Sequence, residues 1–257
     1  MKSHNLRIHR LLKLAPLALI LPWLAGCAAG GDVSKPIPSA FYPAPQKARL
    51  TVVMLPGIDD GLKALENRHV AALIQKNWPH ADVVLTGLTL PFYKQGRAAQ
   101  RLHDEVIARY RKKGQPVWLA GISLGGLGVL LYGRQYPGDT AGMLLMSPYL
   151  GGDAIRKKIQ AAGGLAQWNP GPRQHINADN FRHELWRYLK SWRNRPQRTR
   201  TVWLAYGTND RFRKSIALLT PMLPPGHVIE LPGSHNWNLW NRAFTALLKR
   251  VAHSQTH

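Results

Sequence analysis

Apolar positions along the chain follow two alternating patterns. Six short runs are almost continuously aliphatic: "LTVVMLPG" from residue 50, "ADVVLTG" from 81, "PVWLAGIS" from 116, "GMLLMSP" from 142, "TVWLAYGTND" from 201 and "HVIELPGSH" from 227. Runs of this length, rich in β-branched and aliphatic residues, predict strands buried on both faces. Between them apolar residues recur at helical spacing over 61–77, 97–113, 124–136 and 238–252, which predicts helices. Strands alternating with helices predict an α/β fold, with a mostly parallel, doubly wound sheet whose functional groups collect beyond the carboxyl ends of the strands. One interval breaks the alternation. Between Pro148 and Thr201 there are helical signals and no strand signal, so residues 149–200 are expected to form a helical cap inserted into a domain spanning 50–252. Residues 253–257 are a short tail.

The first residues follow a different pattern. Lys2, Arg7, Arg10 and Lys13 precede an apolar stretch from Leu14 to Ala25 that contains Pro16 and Pro22. It is too short to cross a bilayer, which takes about 20 residues, and it has the layout of a secretory signal. The stretch ends in Leu24-Ala25-Gly26-Cys27, which resembles the lipobox of bacterial lipoproteins. The resemblance implies that residues 1–26 are a signal peptide cut before Cys27, and that Cys27 carries the lipid. It also implies anchoring in the bacterial cell envelope. Ala28 stands where an aspartate would signal inner-membrane retention, so an outer-membrane site facing the periplasm is expected. Residues 27–49, rich in Gly, Pro, Ala and Ser, read as the lipidated cysteine and a flexible linker.

Composition narrows the chemistry. The chain has 257 residues and a single cysteine, which excludes an intramolecular disulfide and a cysteine-based zinc cluster. No His-Glu-x-x-His run occurs among the histidines, so no metal and no cofactor is expected. The net charge of +22 favours anionic neighbours such as lipid head groups. An exported location argues against nucleic acid as a partner.

The stretch "VWLAGISLGGLGVLLY" sets Gly121 and Gly125 two residues either side of Ser123, where a strand gives way to a helix. A turn that sharp leaves no room for side chains at those two positions and projects the hydroxyl above the sheet. This is the nucleophile elbow of the α/β-hydrolase superfamily, which the chain resembles from about residue 50 to 252. The resemblance implies the chain order serine, acid, histidine. Asp210, after the strand "TVWLAYGTN", and His235, in the loop after the last strand, fit that order as orienting carboxylate and general base. The backbone N–H of Leu124 is the expected first oxyanion donor. That of Ile58, in "LPGIDDGL", is the expected second, without the His-Gly-Gly-Gly signature of one lipase subgroup. Asp59 and Asp60 are read as caps of the following helix. In the cap, Trp168, Trp186 and Trp192 lie among many Lys and Arg residues and could form a basic, aromatic lid or simply cover the core.

Together these features predict a membrane-anchored serine hydrolase that cleaves a carboxylic ester or thioester, with a small-molecule or lipid acyl substrate. A peptidase or amidase with the same three residues, and a catalytically silent lipoprotein that binds envelope lipid or a partner, are the alternative readings.

Overall fold

The computed structural model describes residues 30–111, 114–177 and 179–254. The signal segment and Cys27 lie outside the described residues, as does most of the C-terminal tail. Seven strands form one sheet: β1 (Ser39–Tyr42), β2 (Leu50–Leu55), β3 (Ala81–Thr86), β4 (Val117–Ile122), β5 (Gly142–Met146), β6 (Val202–Asn209) and β7 (Val228–Ser234). They lie in the order β1-β3-β2-β4-β5-β6-β7. Every pairing is parallel except that of β1 with β3.

The helices are α1 (Leu62–Asn67), α2 (Val70–Asn77), α3 (Leu90–Lys94), α4 (Ala98–Leu102), α5 (Ala108–Arg111), α6 (Leu124–Gln135), α7 (Asp153–Ala161), α8 (Phe181–Ser191), α9 (Arg213–Leu219) and α10 (Trp237–Ser254). A π-helical turn, His103–Ile107, joins α4 to α5. Strand side chains alternate between the two faces of the sheet. Val53 and Leu55 of β2 therefore join Leu127, Leu130, Leu185 and Trp186 on one face. Val52 and Met54 join Val70, Ile74, Leu247 and Leu248 on the other.

Two local departures from the expected pattern have physical causes. The periodic stretch 61–77 is two helices, because His69 takes a left-handed φ of 53° between α1 and α2. The stretch read as a flexible linker is docked on the domain from Gly30 on. The Arg101 guanidinium donates to the Val33 and Lys35 carbonyls, and the Glu105 carboxylate accepts from the Ile37 N–H. Ser39–Tyr42 then adds β1 to the sheet. Paired backbone groups, not composition, decide its order.

Between β5 and β6 lie α7, α8 and two short 3-10 turns, with no strand among the described residues. Two cations of this interval are engaged inside it. Arg187 donates to the carbonyls of Pro170, Gly171 and Pro172 and pairs with the buried Glu184, while Lys190 donates to those of Ala166 and Trp168. The arginine beside it, reinforced by Arg134, outweighs the burial of Glu184 and holds its carboxyl below the usual carboxylate range. Irregular backbone is thereby satisfied by long cationic side chains instead of by a ladder.

Trp186 and Trp192 are core residues, fully enclosed, and Trp186 Nε1 donates to the Leu150 carbonyl at 2.7 Å. That bond ties α8 to the chain just after β5. Trp186→Phe keeps the ring character and strands a buried carbonyl, so unfolding free energy should fall by about 1–3 kcal/mol in a denaturant titration.

Candidate active site

The site begins with the geometry of Ser123. Its φ of 52° and ψ of −109° lie outside the favoured regions for a residue with a side chain, a strain of about 1–3 kcal/mol. Three main-chain hydrogen bonds hold it there. The Ser123 N–H donates to the Met146 carbonyl, and the Ser123 carbonyl accepts from the N–H groups of Tyr149 and Leu127. The flanking glycines make the turn possible by close approach. A Cβ on Gly121 would stand 2.4 Å from the Gly125 backbone, and one on Gly125 would stand 2.3 Å from the Leu55 carbonyl oxygen. The start of α6 is thus pressed against the ends of both β4 and β2.

Three loops bring the remaining groups to the serine. His235 Nε2 stands 2.9 Å from Ser123 Oγ, and His235 Nδ1 stands 2.9 and 3.0 Å from the two Asp210 oxygens. An ionised carboxylate only accepts, so Nδ1 carries the proton toward Asp210 and Nε2 is left to accept from the serine hydroxyl. All three side chains are nearly enclosed; Ser123 is 3% exposed and Asp210 5%. Burial alone would raise the Asp210 carboxyl. Hydrogen bonding from His235 and the Phe212 N–H outweighs it and holds the carboxyl below the usual range.

The loop after β2 lies against the same serine. A Cβ on Gly57 would stand 3.9 Å from Ser123 Cβ, and Ile58 and Leu124 line one cleft with Ser123. Asp60 does not cap α1, whose N-cap is Gly61 with no side-chain cap bond. Instead its buried carboxylate accepts from Trp237 Nε1 at 3.2 Å, and the Arg68 guanidinium lies over the Trp237 ring. This contact joins the loop after β2 to the start of α10, two residues after His235. Burial outweighs the Trp237 donor and Arg68 and raises the Asp60 carboxyl above its ordinary value.

The cleft has a volume of about 520 Å³, within the range of small-molecule sites. Its floor is one face of α6, Leu124, Leu127 and Leu131, and its walls include Tyr93, Tyr149, Phe181 and Phe212. None of Trp168, Trp186 and Trp192 lines it. Of the two readings open for these tryptophans, the structure favours the covered core: their indoles fill it, and Ile176, Asn177, Phe181 and Arg182 supply the cleft wall.

The sheet order, the strained serine at the carboxyl end of β4 and the cleft above it define the α/β-hydrolase fold. The family model Esterase (described as "Putative esterase") matches residues 93–251. The chain belongs to this Esterase family and is a hydrolase of the α/β-hydrolase type. Among solved structures it resembles Est1E from Butyrivibrio proteoclasticus, at 15% identity and a TM-score of 0.58 over 85% of this chain and 93% of that one. It also resembles a monoacylglycerol lipase of Paleococcus ferrophilus, at 17% identity and 0.55 over 84% of this chain and 99% of that one. A third likeness is S-formylglutathione hydrolase from Staphylococcus aureus, at 14% identity and 0.55 over 79% of this chain and 80% of that one. At these identities the likeness is one of fold. No curated protein matches the chain in sequence.

The lowered Asp210 carboxyl sets a pH dependence. A group whose folded value is depressed stabilises the fold above its unfolded value, near 3.9, and loses that contribution as pH falls through the folded value. Native protein should therefore exceed Asp210→Asn in stability at neutral pH, and the gap should narrow as pH falls below about 4. Urea titrations of both proteins across this range measure the gap.

Proposed function

We propose that the protein hydrolyses a carboxylic ester or thioester through an acyl-enzyme formed on Ser123. The observation that carries this reading is the continuous relay from Asp210 through His235 to the Ser123 hydroxyl, with 2.9 Å between His235 Nε2 and Ser123 Oγ. Ser123 Oγ attacks the acyl carbonyl while its proton passes to His235 Nε2. Asp210 holds the Nδ1–H and stabilises the imidazolium that forms. The N–H groups of Leu124 and Ile58 receive the developing oxyanion, aided by the positive end of α6. Collapse of the tetrahedral species breaks the bond to the leaving oxygen or sulfur, which takes the proton from His235. Water then repeats the sequence on the acyl-enzyme, releasing the acid and restoring Ser123.

His235→Ala and Ser123→Ala should each lower kcat on a short acyl ester by about four to six orders of magnitude. Fluorophosphonate labelling of native protein should vanish in Ser123→Ala. Labelling that persists there, or turnover retained in His235→Ala, would refute the assignment.

The proposal includes a location. The Leu24-Ala25-Gly26-Cys27 segment supports lipid attachment at Cys27 and a place in the bacterial envelope, on the outer membrane facing the periplasm. Each buried methylene of an acyl chain adds about 0.8 kcal/mol, so two or more chains hold a protein durably. Cys27→Ser should move the protein from the membrane fraction to the soluble fraction on cell fractionation; unchanged partitioning would refute the anchor.

A further inference from the structure

Among the described residues, the charged groups that line the cleft are Lys94, Arg134, Arg182 and Arg211, with no carboxylate. Their engagement differs. Arg134 reaches the buried Glu184 at 3.5 Å. Among the described residues, no ion pair includes Arg182 or Arg211. Both are exposed, and each lies over an aromatic ring of the cleft wall: Arg182 over Phe181 at 4.5 Å and Arg211 over Phe212 at 5.0 Å. Stacking on a ring restrains a long side chain and leaves guanidinium N–H groups for an acceptor.

Arg211 is tied to His235 through Phe212, and Arg182 packs against the segment after β5 that also carries Tyr149. The Phe212 ring meets the His235 ring edge-on at 4.7 Å and the Tyr149 ring at 5.3 Å. Two residues after Tyr149, a Cβ on Gly151 would stand 3.3 Å from Arg182 Cβ. The imidazole must lie within hydrogen-bond reach of the leaving atom to protonate it, so the surroundings of His235 are the leaving-group side. Leu124, Leu127 and Leu131 of α6 give the cleft an apolar floor, which suits an acyl chain.

We infer that the alcohol or thiol half of the substrate carries an anionic oxyacid group, carboxylate or phosphate, which Arg182 and Arg211 hold while the acyl half lies along α6. The inference rests on the proposed ester hydrolysis and adds the class of leaving group. Exposed ion pairs are individually weak and salt-sensitive, so the two guanidiniums should give a preference and not an absolute requirement.

The test compares paired butyrate esters. One pair is the butyrate of 4-hydroxybenzoic acid against that of its methyl ester. The other is 1-butyrylglycerol 3-phosphate against 1-butyrylglycerol. Each rate is normalised to alkaline hydrolysis of the same ester. In at least one pair the anionic member should be favoured about tenfold in kcat/KM at low salt, and the preference should shrink at about 0.5 M salt. The pair that shows it identifies carboxylate or phosphate. In the double variant Arg182→Gln, Arg211→Gln the ratio should fall to about one. Arg182→Lys with Arg211→Lys should keep part of it, and Arg211→Glu should push it below the double-glutamine value. A ratio is unaffected by any loss of folded enzyme. Equal turnover of both members of both pairs in native protein would overturn the inference and leave ester hydrolysis standing. A ratio unchanged in the double-glutamine variant would do the same. No turnover of any ester, with no fluorophosphonate labelling, would overturn both.

Discussion

The unfavourable backbone conformation of Ser123 is the constraint on which the site depends. A serine at φ 52° stays there only because β5 and the loop after it bind both its N–H and its carbonyl. The turn also fixes where α6 begins. Because Gly121 and Gly125 allow contact at the backbone level, α6 starts against the end of β2, and the loop after β2 is brought to the hydroxyl. The position of the serine and that of the Gly57–Ile58 backbone are therefore consequences of one close contact.

The other half of the site depends on side chains that tie loops together. Asp210 is fixed by the Phe212 N–H and in turn fixes the tautomer of His235. Asp60 and Trp237 hold the loop after β2 to the start of α10, two residues after His235. Each is a buried carboxylate satisfied by a donor from another segment, and their surroundings shift them in opposite directions. His235 and backbone donors favour the charged form of Asp210, whereas burial dominates at Asp60. One carboxylate is thus suited to supporting an imidazolium, and the other to joining two segments.

β2 to β6 were legible because parallel strands covered on both faces are apolar nearly throughout, and the half-exposed edge strand β7 was legible from the short run that ends at Pro232-Gly233. β1 was not, because "SAFY" lies among prolines and its order comes from β3, more than forty residues later. Ser123, Asp210 and His235 were readable because their residue types fall at strand ends in the order this fold requires. The role of Asp60 was hidden for the opposite reason: its partner Trp237 is 177 residues away, while its immediate neighbours suggested a helix cap. The tryptophans between β5 and β6 left two readings open because aromatic and cationic residues in alternation suit a lid and a covered core equally. The cleft lining, the Trp186 bond to Leu150 and the carbonyls held by Arg187 and Lys190 separate the two.

The docked N-terminal arm has a mechanical consequence. Val33, Lys35 and Ile37 are held by Arg101 and Glu105, and a Cβ on Gly31 would stand 2.7 Å from the Phe92 ring of α3. α3 also supplies Leu90 and Tyr93 to the cleft. A pull on the chain ahead of Gly30 would be borne by the helix that walls the cleft, away from the opposite face of the sheet. Tension at that end would therefore reach the cleft wall before it reached the far side of the domain.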